Sequence, residues 1–251
     1  MAIKTSQMEQ LKPFSILPCG AKAEGLPASH LLDEELCRSF LSQYMLDIKA
    51  PNQRVAASLF MKQYARITVA AALYHISLYN GFVSLPIERC LFSKDRTLHI
   101  QQDECEWIEW DCGDRETWLT EMLHPLFAEH LTPMILVLQR ESKLPSKILW
   151  ENVAVRINSF YRKMLTQELT PVESTQIKDD FHFLKEASGD LFQLKKNPLA
   201  TFLHLETEAC TRRTCCMYYL MGKNEYCGVC PLPKEAGTKV IKHNEKTNDP
   251  K

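Results

Sequence analysis

Arg212 to Leu232 reads R-R-T-C-C-M-Y-Y-L-M-G-K-N-E-Y-C-G-V-C-P-L, and it places Cys215, Cys216, Cys227 and Cys230 at a spacing of Cys-Cys-x10-Cys-x2-Cys. Thiols this dense imply a metal site, because a tetrahedral zinc and a cluster of two irons bridged by two sulfides each take four outer ligands. Cys227-Gly228-Val229-Cys230 is a chelating loop in which a glycine eases the turn around a metal. The adjacent pair is less usual. Neighbouring side chains diverge on extended backbone, so Cys215 and Cys216 share a site only if the chain bends between them or if the site offers two metal centres. A two-iron cluster suits that pair better than one zinc, although thiolate softness alone does not separate the two.

Spacing, the flanking Arg212, Arg213, Thr214 and Pro231, and the position near the C-terminus together resemble the signature of the FhuF-like ferric siderophore reductases. In that family a vicinal cysteine pair, ten residues and a C-x2-C bind a 2Fe-2S cluster, and the order of elements upstream is also similar. The resemblance implies that Cys215, Cys216, Cys227 and Cys230 ligate such a cluster. It further implies a reductase that passes one electron to an imported ferric siderophore of hydroxamate type and releases ferrous iron.

The rest of the chain bounds this reading. Its 251 residues are 45% hydrophobic and 24% charged, ordinary globular composition, and long enough for one large domain or for one domain plus a small appendage. A net charge of -1 gives no basic field for phosphates, so nucleic acid is not expected as a partner. The N-terminus lacks the apolar core of a secretory signal, and the run from Ile67 to Tyr79 is too short to span a bilayer, so a cytoplasmic location is expected. Transient membrane association remains compatible with that. Ten cysteines in a reducing compartment read as thiols and ligands. Cys19, Cys37, Cys90, Cys105 and Cys112 read as small buried apolar residues, while Cys210 is a candidate substitute ligand.

Along the chain, residues 1–28 read as an extended, loosely packed lead-in with several prolines and glycines. Residues 29–195 read as a helical siderophore-binding body. Ser29 opens its first helix with a ridge of Leu36, Phe40, Tyr44 and Ile48, and a longer helix runs from about Asn52 to Asn80-Gly81, where the glycine is expected to take the left-handed conformation. Residues 83–112 change period, and Ile87–Phe92, Thr97–Gln101 and Cys105–Trp110 predict a three-stranded antiparallel meander. Helices resume at Asp114, Thr132-Pro133, Ser146 and the capping box Thr170-Pro171-Val172-Glu173. The expected class is therefore α+β and mainly helical, with about six helices, one small sheet, a cysteine segment over 196–233 and a disordered tail over 234–251.

Outside the cysteines, chemistry is sparse. Eight glycines with no G-x-G leave neither a dinucleotide fingerprint nor a P-loop, so no flavin or nicotinamide is expected and a separate donor, ferredoxin-like or otherwise, must supply electrons. His75, His124, His130, His182 and His204 show no zinc-enzyme spacing. Arg212 and Arg213 are candidates to favour a reduced cluster or to attract an anionic chelate, against the plainer reading of a solvated pair. Arg156 reads as a surface ion pair, and Trp107 and Trp110 as packing. A monomer is expected. A zinc-binding interaction module and a relative of siderophore biosynthesis are the alternatives.

Overall fold

The computed structural model describes residues 3–20, 23–101, 104–205, 211–222, 225–233 and 239–241. Six helices of ten residues or more build the body: α2 (Glu34–Asp47), α3 (Gln53–Tyr79), α4 (Arg115–His124), α5 (Thr132–Ser142), α6 (Ser146–Met164) and α7 (Pro171–Glu186). A short α1 (Thr5–Leu11) precedes them, and one core runs through the whole body. The mainly helical α+β class is thus as the periodicity indicates.

Helix starts follow their side chains. Asp33 accepts from the Leu36 amide, Asn52 from that of Val55 and Asp114 from that of Thr117, and Thr170 with Glu173 forms the reciprocal box. Ser29 is not a cap; it lies in a 3-10 turn before α2. The ridge is also rotated from expectation, since α2 buries Cys37, Leu41 and Tyr44 while Leu36 is 41% exposed. Thr132 caps nothing either, because a π-helical stretch from Pro125 to Leu131 runs straight into α5 and the Thr132 hydroxyl donates to the Phe192 carbonyl.

α3 and α6 form the spine. Asn152 Nδ2 donates to the Ser58 carbonyl at 2.9 Å and Arg156 Nε to that of Lys62 at 3.2 Å, so four residues forward on one helix match four forward on the other and the two run in the same direction. Arg156 is therefore a buried interhelical tie and not a surface ion pair.

The sheet departs from a meander. β4 (Cys90–Phe92) and β5 (Leu98–Ile100) do form an antiparallel hairpin, but β6 (Trp107–Glu109) leaves it to pair with β3 (Gly81–Val83). The hairpin is completed by the lead-in: β1 (Ile16–Pro18) lies parallel to β5 and β2 (Leu26–Pro27) antiparallel to β4. The described part of this lead-in is consequently not loosely packed, for Ile3, Met8, Leu11 and Ile16 are all buried in the core. At the end of α3 it is Asn80 that takes the left-handed conformation, with φ 47°. Gly81 is required for a different reason: a Cβ there would stand 2.2 Å from Cζ2 of Trp107, whose ring covers it.

Asn197 settles the stretch that follows α7. Its Nδ2 donates to the Leu184 carbonyl in the last turn of that helix and to the Ala187 carbonyl just past its end, and its Oδ1 accepts from the Leu199 and Ala200 amides. The chain makes a single turn there, closed by Phe202 and Leu203 amides on the Leu199 carbonyl, and is neither strand nor helix. Beyond it, β7 (Glu225–Cys227) pairs in parallel with β8 (Lys239–Ile241), so this part of the expected disordered tail is a strand, while the rest of the tail and Cys210 lie outside the described residues.

Candidate metal centre and adjoining cleft

Cys216, Cys227 and Cys230 are buried together in a small cluster of their own, wrapped by Tyr218, Tyr226, Val229 and Leu232, and Cys215 is half-buried beside them. The backbone supplies the bend that the vicinal pair needs. Met217 is left-handed at φ 61°, its amide donates to Cys215 Sγ at 3.3 Å, and Gly222 at φ 79° ends the short helical turn over Tyr218–Met221. Cys230 then closes the chelating turn by donating its amide to the Cys227 carbonyl at 3.0 Å.

Two buried cations face this cluster. Lys62, from α3, lies 5.5 Å from the centre of the Tyr218 ring, and its ammonium is held below its ordinary value first by burial. Arg212 is only 4% exposed. Cys227 donates a hydrogen bond to Cys216, which, with the charges of Lys62 and Arg212, holds the Cys216 thiol below its ordinary value despite its burial. The donor Cys227 is correspondingly raised, and burial pushes Cys215 up to about 11.

The two arginines part company. Arg212 turns inward, donating from Nη1 to Asn152 at 2.6 Å, from Nη2 to Glu151 at 3.4 Å and from Nε to the Thr214 carbonyl at 3.1 Å. Arg213 stays exposed and lines a cleft of about 800 Å³, a size within the range that small-molecule ligands occupy. Its walls carry Lys178, His182 and Lys185 from α7, with Phe202, His204 and Thr211 opposite, and Glu151 at the side of the cysteine segment. A narrow gap of about 10 Å³ shares Glu151, Phe202 and His204 with the cleft and reaches Arg212 and Val229 of the chelating turn.

Several of these residues escape a sequence reading. Ser58, Lys62, Glu151 and Asn152 are polar positions on otherwise apolar helical faces, and that break in pattern is the signal that could have found them. The histidines divide. His75 donates from Nδ1 to the Ala71 carbonyl in the core, His130 bridges Tyr64 and the Leu85 carbonyl, and His182 and His204 line the cleft. Trp107 is packed over Gly81, and Trp110 stacks against the Arg115 guanidinium.

As the side chains stand, no group of three or more His, Cys, Asp or Glu among the described residues is arranged to hold a metal ion. The donor set nonetheless fits an iron-sulfur cluster in its chemistry: four thiols on two adjoining turns, three of them buried and Cys215 half-buried, with an amide on the Cys215 sulfur and the charges of two buried cations nearby.

A mainly helical α+β body carrying a buried cysteine cluster beside an open polar cleft is the class of protein that fold and site define. The chain belongs to the family described as ferric iron reductase FhuF-like transporter, which matches residues 58–211. It is also 22% identical over 169 residues to a ferric siderophore reductase of Escherichia coli strain K12, a match that covers 61% of this chain and 62% of that relative. The family match takes in α6, α7, most of α3 and the cleft residues up to Thr211, leaves out Arg213, and stops four residues before Cys215. Despite the family's wording, no helix among the described residues is long and apolar enough to cross a membrane.

Proposed function

We propose that the protein is a ferric siderophore reductase that works in the cytoplasm, with Cys215, Cys216, Cys227 and Cys230 holding a 2Fe-2S cluster and the adjoining cleft receiving a ferric siderophore of hydroxamate type. The observation that carries the reading is adjacency: Thr211 and Arg213, on the segment that leads into the vicinal cysteines, line a cleft large enough for a small chelate. Bound at the cysteines, the cluster supplies single electrons. One electron converts substrate Fe(III) to Fe(II), and hard hydroxamate oxygens hold the ferrous ion far less strongly, so no protein group need break a metal bond.

What the chain's own residues do is hold and orient. Lys178, Lys185 and Arg213 offer N–H donors to the oxygen-rich rim of a chelate, and Phe202 gives it an apolar surface. Lys62 and Arg212 place positive charge beside the sulfurs, which favours the more negative reduced state. The electron comes from a separate donor, ferredoxin-like or another reductant, since the sequence offers no seat for a flavin or nicotinamide.

The test is anaerobic. Chemically reduced protein mixed with a ferric trihydroxamate and a ferrous-specific chelator is expected to reoxidise one electron at a time as the chelator colours. Arg213→Ala is expected to raise KM about tenfold with little change in kcat, the signature of lost ground-state binding, and less so at high salt. Reoxidation by ferric siderophore no faster than by ferric citrate overturns the assignment, and reduction by NADH or NADPH alone overturns the separate donor.

A further inference from the structure

Glu151 is buried on α6 with both carboxylate oxygens committed to the residues just before the cysteine pair. Oε1 accepts from the Arg213 amide at 2.6 Å, while Oε2 accepts from the Thr214 amide at 2.8 Å, from the Thr214 hydroxyl and from Arg212 Nη2. On the far side of the pair, the Ser58 hydroxyl donates to the Cys216 carbonyl at 2.9 Å, and Asn152 ties Ser58 to Arg212. Cys215 and Cys216 are thus gripped from both ends, by α6 before and α3 after. Glu151 also forms part of the cleft wall.

We infer that Glu151 is a positioning residue for the reductase reaction, an anionic clasp that fixes the orientation of the vicinal cysteines and connects it to the wall against which substrate lies. Its geometry stands alone, while its consequence for electron transfer rests on the reductase reading. Every partner of the carboxylate is a donor, which explains why an acid is needed and not merely a side chain of this shape. A glutamine has one oxygen and one NH2, so in either orientation it turns donors toward donors and leaves a buried N–H without an acceptor. It also removes the negative charge that offsets Arg212, leaving more uncompensated positive charge beside the sulfurs.

The experiment compares the full-length wild type with Glu151→Gln and with Val153→Ala, a packing change on the same helix. Glu151→Gln is expected to speed amide exchange over Arg213–Met217 by about tenfold and to raise the midpoint potential of the bound cluster, whereas Val153→Ala does neither even where its Tm falls as far. Should Glu151→Gln not fold, Thr214→Val removes one of the donors while keeping the carboxylate's charge, and is expected to speed exchange by a smaller factor. Wild-type exchange in these variants overturns the clasp, and faster exchange in Glu151→Gln with an unmoved potential overturns its role in the reaction. Absence of any cluster in the wild type defeats the reductase reading and leaves the exchange comparison to decide the clasp.

Discussion

At the scale of single residues, the interior carries two histidines whose neutrality is a condition of folding. His75 and His130 are each fully buried, and burial holds both down at about 4 against backbone hydrogen bonds that pull the other way. A histidine whose folded value lies below its unfolded value of 6.5 binds more protons when unfolded, so its contribution is complete above 6.5 and lost as pH falls toward 4. The slope is at most about 1.4 kcal/mol per pH unit for each histidine within that window. Urea unfolding at pH 7, 6 and 5 is expected to show falling stability, and His130→Gln, which keeps a polar partner for the Tyr64 hydroxyl, is expected to make the fall shallower. Stability that is flat between pH 7 and 5 contradicts this.

At the scale of elements, α1 and β1 decide whether the first residues are a strap or a part of the body. Leu11 and Ile16 have no exposed surface, and β1 supplies a parallel neighbour to β5. Leu11→Ala is therefore expected to cost about 2–5 kcal/mol in urea unfolding, the range for buried leucines, where a loose segment would lose under about 0.5 kcal/mol. The helices were legible because their periodicity and caps are local: Asn52, Asp114 and the Thr170–Glu173 box all begin helices where the sequence places them. Strand pairing was not, because three-residue strands carry no register signal and the partner of β6 is set by Trp107 closing over Gly81, a contact between residues far apart in the chain. The prolines and glycines of the lead-in likewise mark turns without saying what those turns pack against.

At the scale of the whole molecule, the cysteine segment is mounted on the α3–α6 spine by Ser58, Asn152 and Glu151, and the cleft opens between that mount and α7. That Cys216, Cys227 and Cys230 gather in one place was readable from their spacing, which is a local property. The different fates of Arg212 and Arg213 were not, because the buried acceptors that draw Arg212 inward lie sixty residues away on α6. The central claim is that these thiols serve two irons in an electron-transfer protein, and metal analysis with the visible spectrum of anaerobically purified protein tests it most directly. Brown protein with about two irons and two sulfides per chain, bleaching on reduction and with its spectrum shifted or lost in Cys216→Ser and Cys227→Ser, is the expected result. Colourless protein holding one zinc and no iron would contradict it.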